Sequence, residues 1–280
     1  MMHKDLLLGI DVGTTGTKCS VYDFNGKRVA SAYREYPMLH PRPGWTEQDP
    51  SRWWDTVCCN LQTIFKSQNI DKNRIAAVGT SSTNAVVLVD RQGQPVCNAI
   101  SLHDQRSGHQ VEWLKENIGE ERIRGVAANR IANGSFSLPA LRWLVENRPD
   151  LIKGAHKLMV PCGYVIQKFT GEFTMNRPRM SLTLMADIRT GQWDTEIAKQ
   201  SGLPPRLLPR PCGSTEIVGT VTEWAALMTG LAAGTPVTGG TIDTVAATIG
   251  AGAVAEGDFS LTIGSSGRLC SIGARPMEDP

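Results

Sequence analysis

The side chains near the N-terminus have the types and the spacing that phosphate and magnesium chemistry requires. An apolar run over residues 6–10 ends in Asp11, and a Gly/Thr-rich turn joins it to a second strand-like run over residues 19–24. Glycines allow a tight turn in which successive backbone N–H groups point at one anion. A carboxylate beside such a turn suits a magnesium–nucleotide complex. The candidate phosphate-binding residues are Gly13, Thr14, Thr15, Thr17 and Lys18.

This turn differs from the two common nucleotide-binding motifs. The P-loop and the Gly-x-Gly-x-x-Gly fingerprint both lead into a helix, whereas here the turn joins two strands. An ordinary Gly-rich β-hairpin with polar turn residues is the alternative interpretation. The residues of the turn alone leave the phosphate site and the plain hairpin both open.

The composition is typical of a globular protein and argues against several function classes. The chain has 280 residues, of which 41% are hydrophobic and 20% charged, and this predicts one large or two smaller domains. The net charge of +2 includes no basic run, so we expect no nucleic-acid partner. No signal peptide or membrane-length apolar run is evident, so we expect no membrane association. The seven scattered cysteines fit reduced thiols in a cytoplasmic protein.

The elements that must position these residues alternate between strands and helices. Strands are predicted over residues 5–11, 17–23, 28–34, 74–80, 85–90, 97–102, 234–240 and 260–263. Helices are predicted over residues 50–67, 107–118, 138–148, 164–169 and 241–251, and the middle of the chain, residues 107–210, is mostly helical. Asp49 can cap the first of these helices, and Pro50 suits its first turn. Two Gly-rich polar turns, at 13–17 and 264–267, could grip a polyphosphate between two lobes.

Four segments of the chain resemble the FGGY family of carbohydrate kinases. The most specific is the Gly-Trp-Thr-Glu-Gln-Asp-Pro string at residues 44–50, which has no general structural reason to recur and is followed by a Trp pair. The other segments are residues 9–18, residues 98–106, and residues 239–243 with residues 264–267 after them. The resemblance covers essentially the whole chain, and the four segments together favour the phosphate turn over the plain hairpin.

The resemblance implies an α/β fold with an RNase-H-like lobe of the actin, hexokinase and Hsp70-type ATPases. This lobe, a mixed β-sheet flanked by helices, would be followed by the start of a second, like lobe. Residues 1–250 would form the N-terminal domain with the sugar site and the phosphate loop, and residues 251–280 the beginning of a truncated C-terminal nucleotide-binding domain. Family members are considerably longer than this chain. The missing C-terminal lobe is therefore an expected partner, and we expect the chain alone to be inactive.

The resemblance also assigns roles around a triphosphate. Asp243 would be the general base, and the alternative is a cap of the helix that follows it. Asp11 would orient Mg²⁺ through water, and the alternative is an ordinary turn carboxylate. Lys18 would lie near the γ-phosphate or be a solvated strand residue. The residues of a second phosphate loop would be Gly264, Ser265 and Ser266.

Substrate choice is expected to lie in two polar segments near Asp243. The candidate residues are Thr83, Asn84, His103 and Asp104. Xylulokinase-like and gluconokinase-like members carry Met-His, and glycerol kinases Arg-Glu, where this chain has Thr83-Asn84. Leu102 also replaces a Trp that is common in the family. The alternatives to sugar contact are a β-turn at Thr83-Asn84, a helix cap at Asp104 and an exposed His103.

These roles predict ATP-dependent phosphorylation of a hydroxyl group of a small sugar or polyol, with ATP and Mg²⁺ as cofactors. A non-catalytic sugar-binding or regulatory module that keeps the fold is one alternative. An actin-like or chaperone-like ATPase is another, and the string at residues 44–50 argues against it. A dimer is common among the relatives, so a homodimer is a further candidate assembly.

Overall fold

The structure, a computed structural model, describes residues 4–263 and 267–275. Strands β1 to β17 are Leu6–Val12, Gly16–Asp23, Arg28–Glu35, Glu47–Gln48, Ile75–Ser82, Ala85–Val89, Ala99–Ser101, Lys157–Met159, Thr174–Asn176, Ala186–Asp187, Gln192–Trp193, Arg210–Cys212, Ile217–Thr220, Pro236–Thr238, Thr241–Ile242, Phe259–Ile263 and Gly267–Ser271. Helices α1 to α10 are Pro50–Ser67, Gly108–Asn117, Glu120–Ala127, Ser137–Asn147, Pro149–Gly154, Pro161–Thr170, Arg177–Ser181, Thr195–Gln200, Glu223–Thr229 and Asp243–Gly250.

Seven strands form a central mixed sheet in the order β13-β14-β5-β1-β2-β3, with β15 also paired to β5. Strand β1 is antiparallel to β2, and β2 is antiparallel to β3, so the predicted three-strand meander is confirmed. Strands β1 and β5 are parallel and need a crossover connection, which contains helix α1. Strands β5, β14 and β15 are also parallel to one another. The carboxyl ends of these parallel strands consequently lie at one edge of the sheet.

Helix α1 covers one face of this sheet. It begins at Pro50, and the Oδ1 atom of Asp49 accepts a hydrogen bond of 2.9 Å from the Ser51 N–H, so the predicted cap is confirmed. Trp53 and Trp54 are buried in the same core as the alternate apolar residues of β1. Alternation along β1 therefore turns Leu6, Leu8, Ile10 and Val12 into the core and leaves Asp11 on the opposite face.

A second sheet, in the order β4-β7-β6-β8, belongs to the other half of the described fold. One face of this sheet, which includes Val86, Leu88, Ile100 and Leu158, packs into a second hydrophobic core with helices α2 to α5, α7 and α8. The opposite face, which includes Val87, Val89 and Met159, belongs to the first core together with most of α6. The sequence predicts residues 107–210 to be mostly helical, and the structure has those helices together with the short strands β8 to β11. These strands contain two or three residues each, which is too short for a period-two pattern to be visible in the sequence.

Strands β16 and β17 pair with each other in a separate two-stranded sheet. The predicted second phosphate loop, Gly264, Ser265 and Ser266, lies outside the described residues. The proposed domain boundary at residue 250 stays a prediction. None of the helices described here is long and apolar enough to cross a membrane.

Candidate functional site

Three strand ends meet at one edge of the central sheet. Asp11 of β1 is the register partner of Ser81 in β5, and Ser81 is the register partner of Thr241 in β15. Asp243 follows β15 directly. Open α/β sheets bind their ligands at the carboxyl ends of parallel strands. We call Asp11, Ser81, Thr241 and Asp243 the strand-end site.

Asp11 presents a partly free carboxylate in the strand-end site. The Ser81 hydroxyl donates a hydrogen bond of 2.8 Å to its Oδ1, and no described residue donates to its Oδ2. Burial raises the pKa of Asp11 and the Ser81 hydrogen bond opposes that rise; the nearby Asp243 carboxylate raises the pKa further, and Lys18 lowers it. Because magnesium binds proteins through one or two carboxylates and keeps several waters, the free oxygen fits such an ion.

Asp243 is the first residue of α10, so the predicted strand-to-helix turn is confirmed. The N-cap of this helix is Ile242, so Asp243 lies one residue inside the helix, and one of its oxygens satisfies an N–H of the first turn. The Asp243 Oδ1 accepts hydrogen bonds from the N–H and the hydroxyl of Thr244, at 2.7 and 3.1 Å. Its Oδ2 has no donor in the part of the chain that the structure describes. The carboxylate thus retains an oxygen that can accept a proton.

Steric constraints explain why residue 240, in the turn before β15, is a glycine. Gly240 has a φ of 72°, in the left-handed region. A Cβ at this position would overlap the side chain of Thr80. Glycine is therefore required here both for the backbone conformation and for the close approach to β5. This turn sets the position at which Thr241 and Asp243 enter the strand-end site.

Thr14 and Thr15 form the tip of the β1–β2 hairpin, which we call the phosphate hairpin. The Gly13 N–H donates to the Gly16 carbonyl at 2.9 Å and closes this two-residue turn. Neither glycine has a positive φ, so the turn does not depend on the left-handed conformation. Gly16 is needed for space instead, because a Cβ there would lie 2.5 Å from the Arg34 carbonyl oxygen.

The prediction that Thr17 binds phosphate is wrong. Thr17 is fully buried, its hydroxyl accepts a hydrogen bond of 2.9 Å from the Thr56 hydroxyl, and its carbonyl accepts one of 2.9 Å from Asn60. Both partners belong to α1, so Thr17 faces the core side of the sheet. Successive side chains of a strand point to opposite faces, and Lys18 therefore faces the strand-end site.

A cavity of about 420 Å³ borders the strand-end site. Residues that line it include Gly9, Asp11, Lys18, Ser81, Thr241 and Val245. Lys18 is exposed and is the register partner of Asp11 in the neighbouring strand. An ammonium at this place could neutralise a phosphoryl oxygen, although its exposure equally fits a solvated strand residue. Its predicted role near the γ-phosphate stays a prediction.

Thr83 and Asn84 connect β5 to β6 beside the phosphate hairpin. The Thr83 N–H donates to the Val12 carbonyl at 3.0 Å, and the Thr14 hydroxyl donates to the Thr83 hydroxyl at 3.3 Å. The amide nitrogen of Asn84 donates to the Ser135 carbonyl at 3.0 Å, whereas its Oδ1 is buried and has no donor among the described residues. A buried acceptor without a donor is costly, and the hydroxyl of a bound ligand would satisfy it.

The prediction that Asp104 contacts the substrate is corrected. Asp104 is 2% exposed, and its two oxygens bind the Nε and Nη2 atoms of Arg106 at 2.9 and 2.8 Å. The Thr46 N–H donates to the same carboxylate at 2.6 Å, and Glu47 binds the Arg106 guanidinium at 2.8 Å. Asp104 therefore fastens its own loop to residues 44–50. His103 is exposed, and its contact with a sugar stays a prediction.

Arg179 is a site residue that the sequence analysis missed. Its side chain is buried, its Nη2 donates to the Ser82 carbonyl, and its Nε has no acceptor in the described part of the chain. Burial lowers the pKa of Arg179, while the nearby Cys162 and Asp243 raise it. Arg179 thus binds the end of β5, immediately before Thr83 and Asn84, and interacts electrostatically with Asp243. An arginine in the short helix α7 carries no sequence pattern that marks it as buried.

Comparison with known proteins identifies relatives over most of the chain. The model of the FGGY family of carbohydrate kinases, N-terminal domain, matches residues 6–250. The chain is 31% identical over 277 residues to a xylulose kinase of Streptomyces rubiginosus, which covers 98% of this chain and 56% of that protein. It is 29% identical over 264 residues to a glycerol kinase of Thermococcus gammatolerans, which covers 92% of this chain and 52% of that protein.

Solved structures agree with these relatives. The xylulose kinase from Rhodospirillum rubrum superposes with a TM-score of 0.94 at 27% identity, over 98% of this chain and 56% of that chain. The Plasmodium falciparum glycerol kinase with ADP superposes with a TM-score of 0.85 at 25% identity, over 95% of this chain and 54% of that chain. The chain spans about half the length of the relatives it matches. The predicted actin- and hexokinase-like fold is confirmed, and the chain belongs to the FGGY family of carbohydrate kinases, whose N-terminal domain it contains.

Proposed function

We propose that the full-length protein containing this chain transfers the γ-phosphoryl group of ATP to a hydroxyl group of a small sugar or polyol. The observation that carries this proposal is the meeting of Asp11 and Asp243 at the ends of parallel strands that also border the phosphate hairpin. The names of the relatives, xylulose kinase and glycerol kinase, support this class of acceptor. A glycerol kinase of the same fold that contains ADP supports the nucleotide.

Asp243 is the proposed general base. As the hydroxyl oxygen of the acceptor bonds to the γ-phosphorus, the hydroxyl proton passes to the Asp243 carboxylate and the bond from the γ-phosphorus to the β,γ-bridging oxygen breaks. Phosphoryl transfer depends mostly on positioning and on neutralisation of charge, so one carboxylate near the attacking oxygen is sufficient protein chemistry for the proton. The free Oδ2 of Asp243 is the atom that this step requires.

Asp11 and the phosphate hairpin are the proposed ligands of the magnesium–ATP complex. Asp11 would hold the ion through water with its unbonded oxygen, and the ion would neutralise charge on the phosphates. Thr14 and Thr15 would donate to the phosphates from their backbone and hydroxyl groups, and Lys18 would lie near the γ-phosphate. The remaining phosphate contacts would come from Gly264, Ser265 and Ser266 and from a second, C-terminal lobe.

We propose that Thr83, Asn84 and Asp243 contact the acceptor. Asn84 offers a buried carbonyl oxygen that lacks a donor among the described residues, which suits a hydroxyl group. The Thr83-Asn84 pair differs from the pairs expected for xylulokinase-like and glycerol-kinase-like members. We therefore propose that the acceptor is a sugar or polyol, and we do not identify it as xylulose or glycerol.

A screen for ADP release tests this proposal. Pentuloses, hexuloses, polyols and aldonates are each supplied with MgATP to this chain and to the full-length protein that contains it. We expect turnover with at least one of these acceptors in the full-length protein and none with this chain, since closure of a second lobe excludes water from the site. Sugar binding by calorimetry without turnover in the full-length protein would contradict the kinase proposal and favour a non-catalytic sugar-binding module.

A further inference from the structure

Two side chains from outside the phosphate hairpin hold its main-chain carbonyl groups. The Tyr36 hydroxyl donates a hydrogen bond of 2.6 Å to the Gly13 carbonyl. The Nε2 atom of Gln48 donates one of 2.7 Å to the Thr14 carbonyl. These two carbonyls belong to consecutive peptide groups, which link Gly13 to Thr14 and Thr14 to Thr15. Both peptide groups at the tip of the hairpin are therefore fixed by a donor.

The direction of a carbonyl determines the direction of the N–H in the same peptide group. A trans peptide is planar, and its C=O and N–H bonds point in opposite directions. The bond from Tyr36 therefore directs the Thr14 N–H away from Tyr36, and the bond from Gln48 directs the Thr15 N–H away from Gln48. Within residues 4–263 and 267–275, neither the Thr14 N–H nor the Thr15 N–H has a hydrogen-bond acceptor. Two adjacent donors are thus oriented and free.

Both anchoring side chains are themselves held firmly. Gln48 is 1% exposed, and its backbone lies in β4, paired with Ala99 of β7. Its Nε2 is buried with the rest of the side chain, so the bond to the Thr14 carbonyl is shielded from water. Tyr36 is 7% exposed, and its own N–H donates to the Thr15 carbonyl at 3.1 Å. Burial raises the pKa of Tyr36, which keeps its hydroxyl protonated as a donor.

We propose that Tyr36 and Gln48 are positioning residues, which orient the N–H groups of Thr14 and Thr15 as a preorganised pair of donors for the polyphosphate of ATP. This inference rests on the proposed function for the identity of the anion. Donors that are already aligned need no reorganisation when charge develops on the phosphate oxygens. The inference also gives the glutamine of the string at residues 44–50 a chemical reason to be there.

The affinity of the full-length protein for MgATP, measured by calorimetry, tests the proposal. Tyr36→Phe removes one hydroxyl, and Gln48→Met removes the amide with little change in shape. We expect each variant to bind MgATP about tenfold more weakly, since each frees one peptide group to rotate. Binding of the accepted sugar or polyol should stay within about twofold of the unmodified protein, which a general loss of folding would not allow.

Two matched controls separate the carbonyl anchors from ordinary losses of a side-chain hydrogen bond. Tyr164→Phe removes the hydroxyl of another buried tyrosine, which lies in helix α6 beside Trp53. Gln62→Met removes a glutamine that donates to the distant Met228 carbonyl at 2.9 Å. We expect MgATP affinity within about twofold of the unmodified protein for both controls. If Gln48→Met does not fold, Tyr36→Phe, which changes a single oxygen atom, decides the matter.

The outcomes distinguish this inference from the proposed function. If Tyr36→Phe and Gln48→Met bind MgATP as tightly as the two controls, the inference is overturned, even where a sugar is phosphorylated. If both variants bind MgATP more weakly while the unmodified protein phosphorylates no acceptor, the inference stands and the proposed function fails. A full-length protein that does not bind MgATP overturns both.

Discussion

The carboxylate of Asp104 and the guanidinium of Arg106 form two side-by-side hydrogen bonds, Nε to Oδ1 at 2.9 Å and Nη2 to Oδ2 at 2.8 Å. The backbone N–H groups of Arg106 and Thr46 donate to the same two oxygens, at 2.9 and 2.6 Å. An ionised carboxylate offers about four acceptor positions, so the protein fills those of Asp104. The Arg106 guanidinium also stacks 3.7 Å from the centre of the Trp45 ring. Asp104 thus holds together two loops that are far apart in the sequence.

Asp104→Asn tests this structural role. The substitution removes one of the two ionic partners of the buried Arg106 and leaves Glu47 as the other, and we expect the free energy of unfolding to fall by about 2 kcal/mol. Urea unfolding measures the loss. Asp150→Asn is the matched control, because it breaks an exposed pair with Arg148 and should produce no measurable change. A folded Asp104→Asn protein of unchanged stability that no longer binds sugar would restore Asp104 as a substrate ligand.

The pKa of Asp11 predicts that this residue destabilises the fold at neutral pH. A folded-state pKa above the ordinary value of 3.8 means that the folded protein holds the proton more tightly than the unfolded chain does. The free energy of unfolding therefore falls as pH rises from about 3.8 through the folded-state pKa. Asp11→Asn should remove this loss and keep the Ser81 hydrogen bond. We expect the variant to be more stable than the unmodified protein at pH 7.

Thermal unfolding at a series of pH values, with EDTA present, measures this difference. The stability gain of Asp11→Asn should be absent below pH 3.8 and should grow as pH increases. In the full-length protein the same variant should lose MgATP-dependent turnover by at least about a hundredfold, because its amide cannot hold the magnesium ion as a carboxylate does. The stability difference between Asp11→Asn and the unmodified protein is the quantity to follow. If this difference favours the variant less at pH 7 than at pH 4, Asp11 does not carry an unfavourable buried charge.

Thr17→Val tests the correction of the phosphate site. Valine keeps the shape but removes the hydroxyl that bonds to Thr56 in the core, and we expect a loss of about 1 kcal/mol in the free energy of unfolding. The affinity of the full-length protein for MgATP should not change. Thr14→Val removes a hydroxyl from the phosphate hairpin and is the matched comparison, which we expect to weaken MgATP binding. Equal losses of MgATP affinity in the two variants would show that Thr17 contacts the nucleotide after all.

Asn84→Leu tests the acceptor site. The substitution removes the buried oxygen that is proposed to bind a hydroxyl group, and we expect the affinity for the accepted sugar to fall at least about tenfold. The affinity for MgATP should be unchanged. Asn147→Leu is a suitable control, because Asn147 is exposed and donates to a carbonyl within its own helix. Sugar affinity that is unchanged in Asn84→Leu would favour the plain β-turn at this position.

Features that depend on local sequence were predictable, because their physical causes are local. The β1–β2–β3 meander, helix α1 with its Asp49 cap and the turn before Asp243 all follow from apolar alternation and from cap and turn residues. The resemblance to the FGGY family rested on short strings with unusual composition, and it supplied the fold. Each of these features can be located without knowledge of distant contacts.

The errors in the predicted site come from contacts between distant segments. The strand containing Thr17 and Lys18 was predicted, but the core-facing side of that strand depends on the position of α1. One of the four donors to Asp104 is the N–H of Thr46, which is 58 residues away, and Arg179 reaches Ser82 over 97 residues. Side-chain chemistry in the sequence identifies which groups can bind a ligand. Only the fold determines which of them are already bound to the protein.

The proposed function depends on transfer of the proton of the acceptor hydroxyl to Asp243. The most direct measurement compares Asp243→Asn with the unmodified full-length protein, by sugar and MgATP binding in a calorimeter and by turnover in the ADP-release assay. We expect turnover to fall at least about a thousandfold while both affinities stay within about threefold, because asparagine has the same shape and cannot accept the proton. An Asp243→Asn protein that retains turnover within tenfold of the unmodified protein would contradict this account.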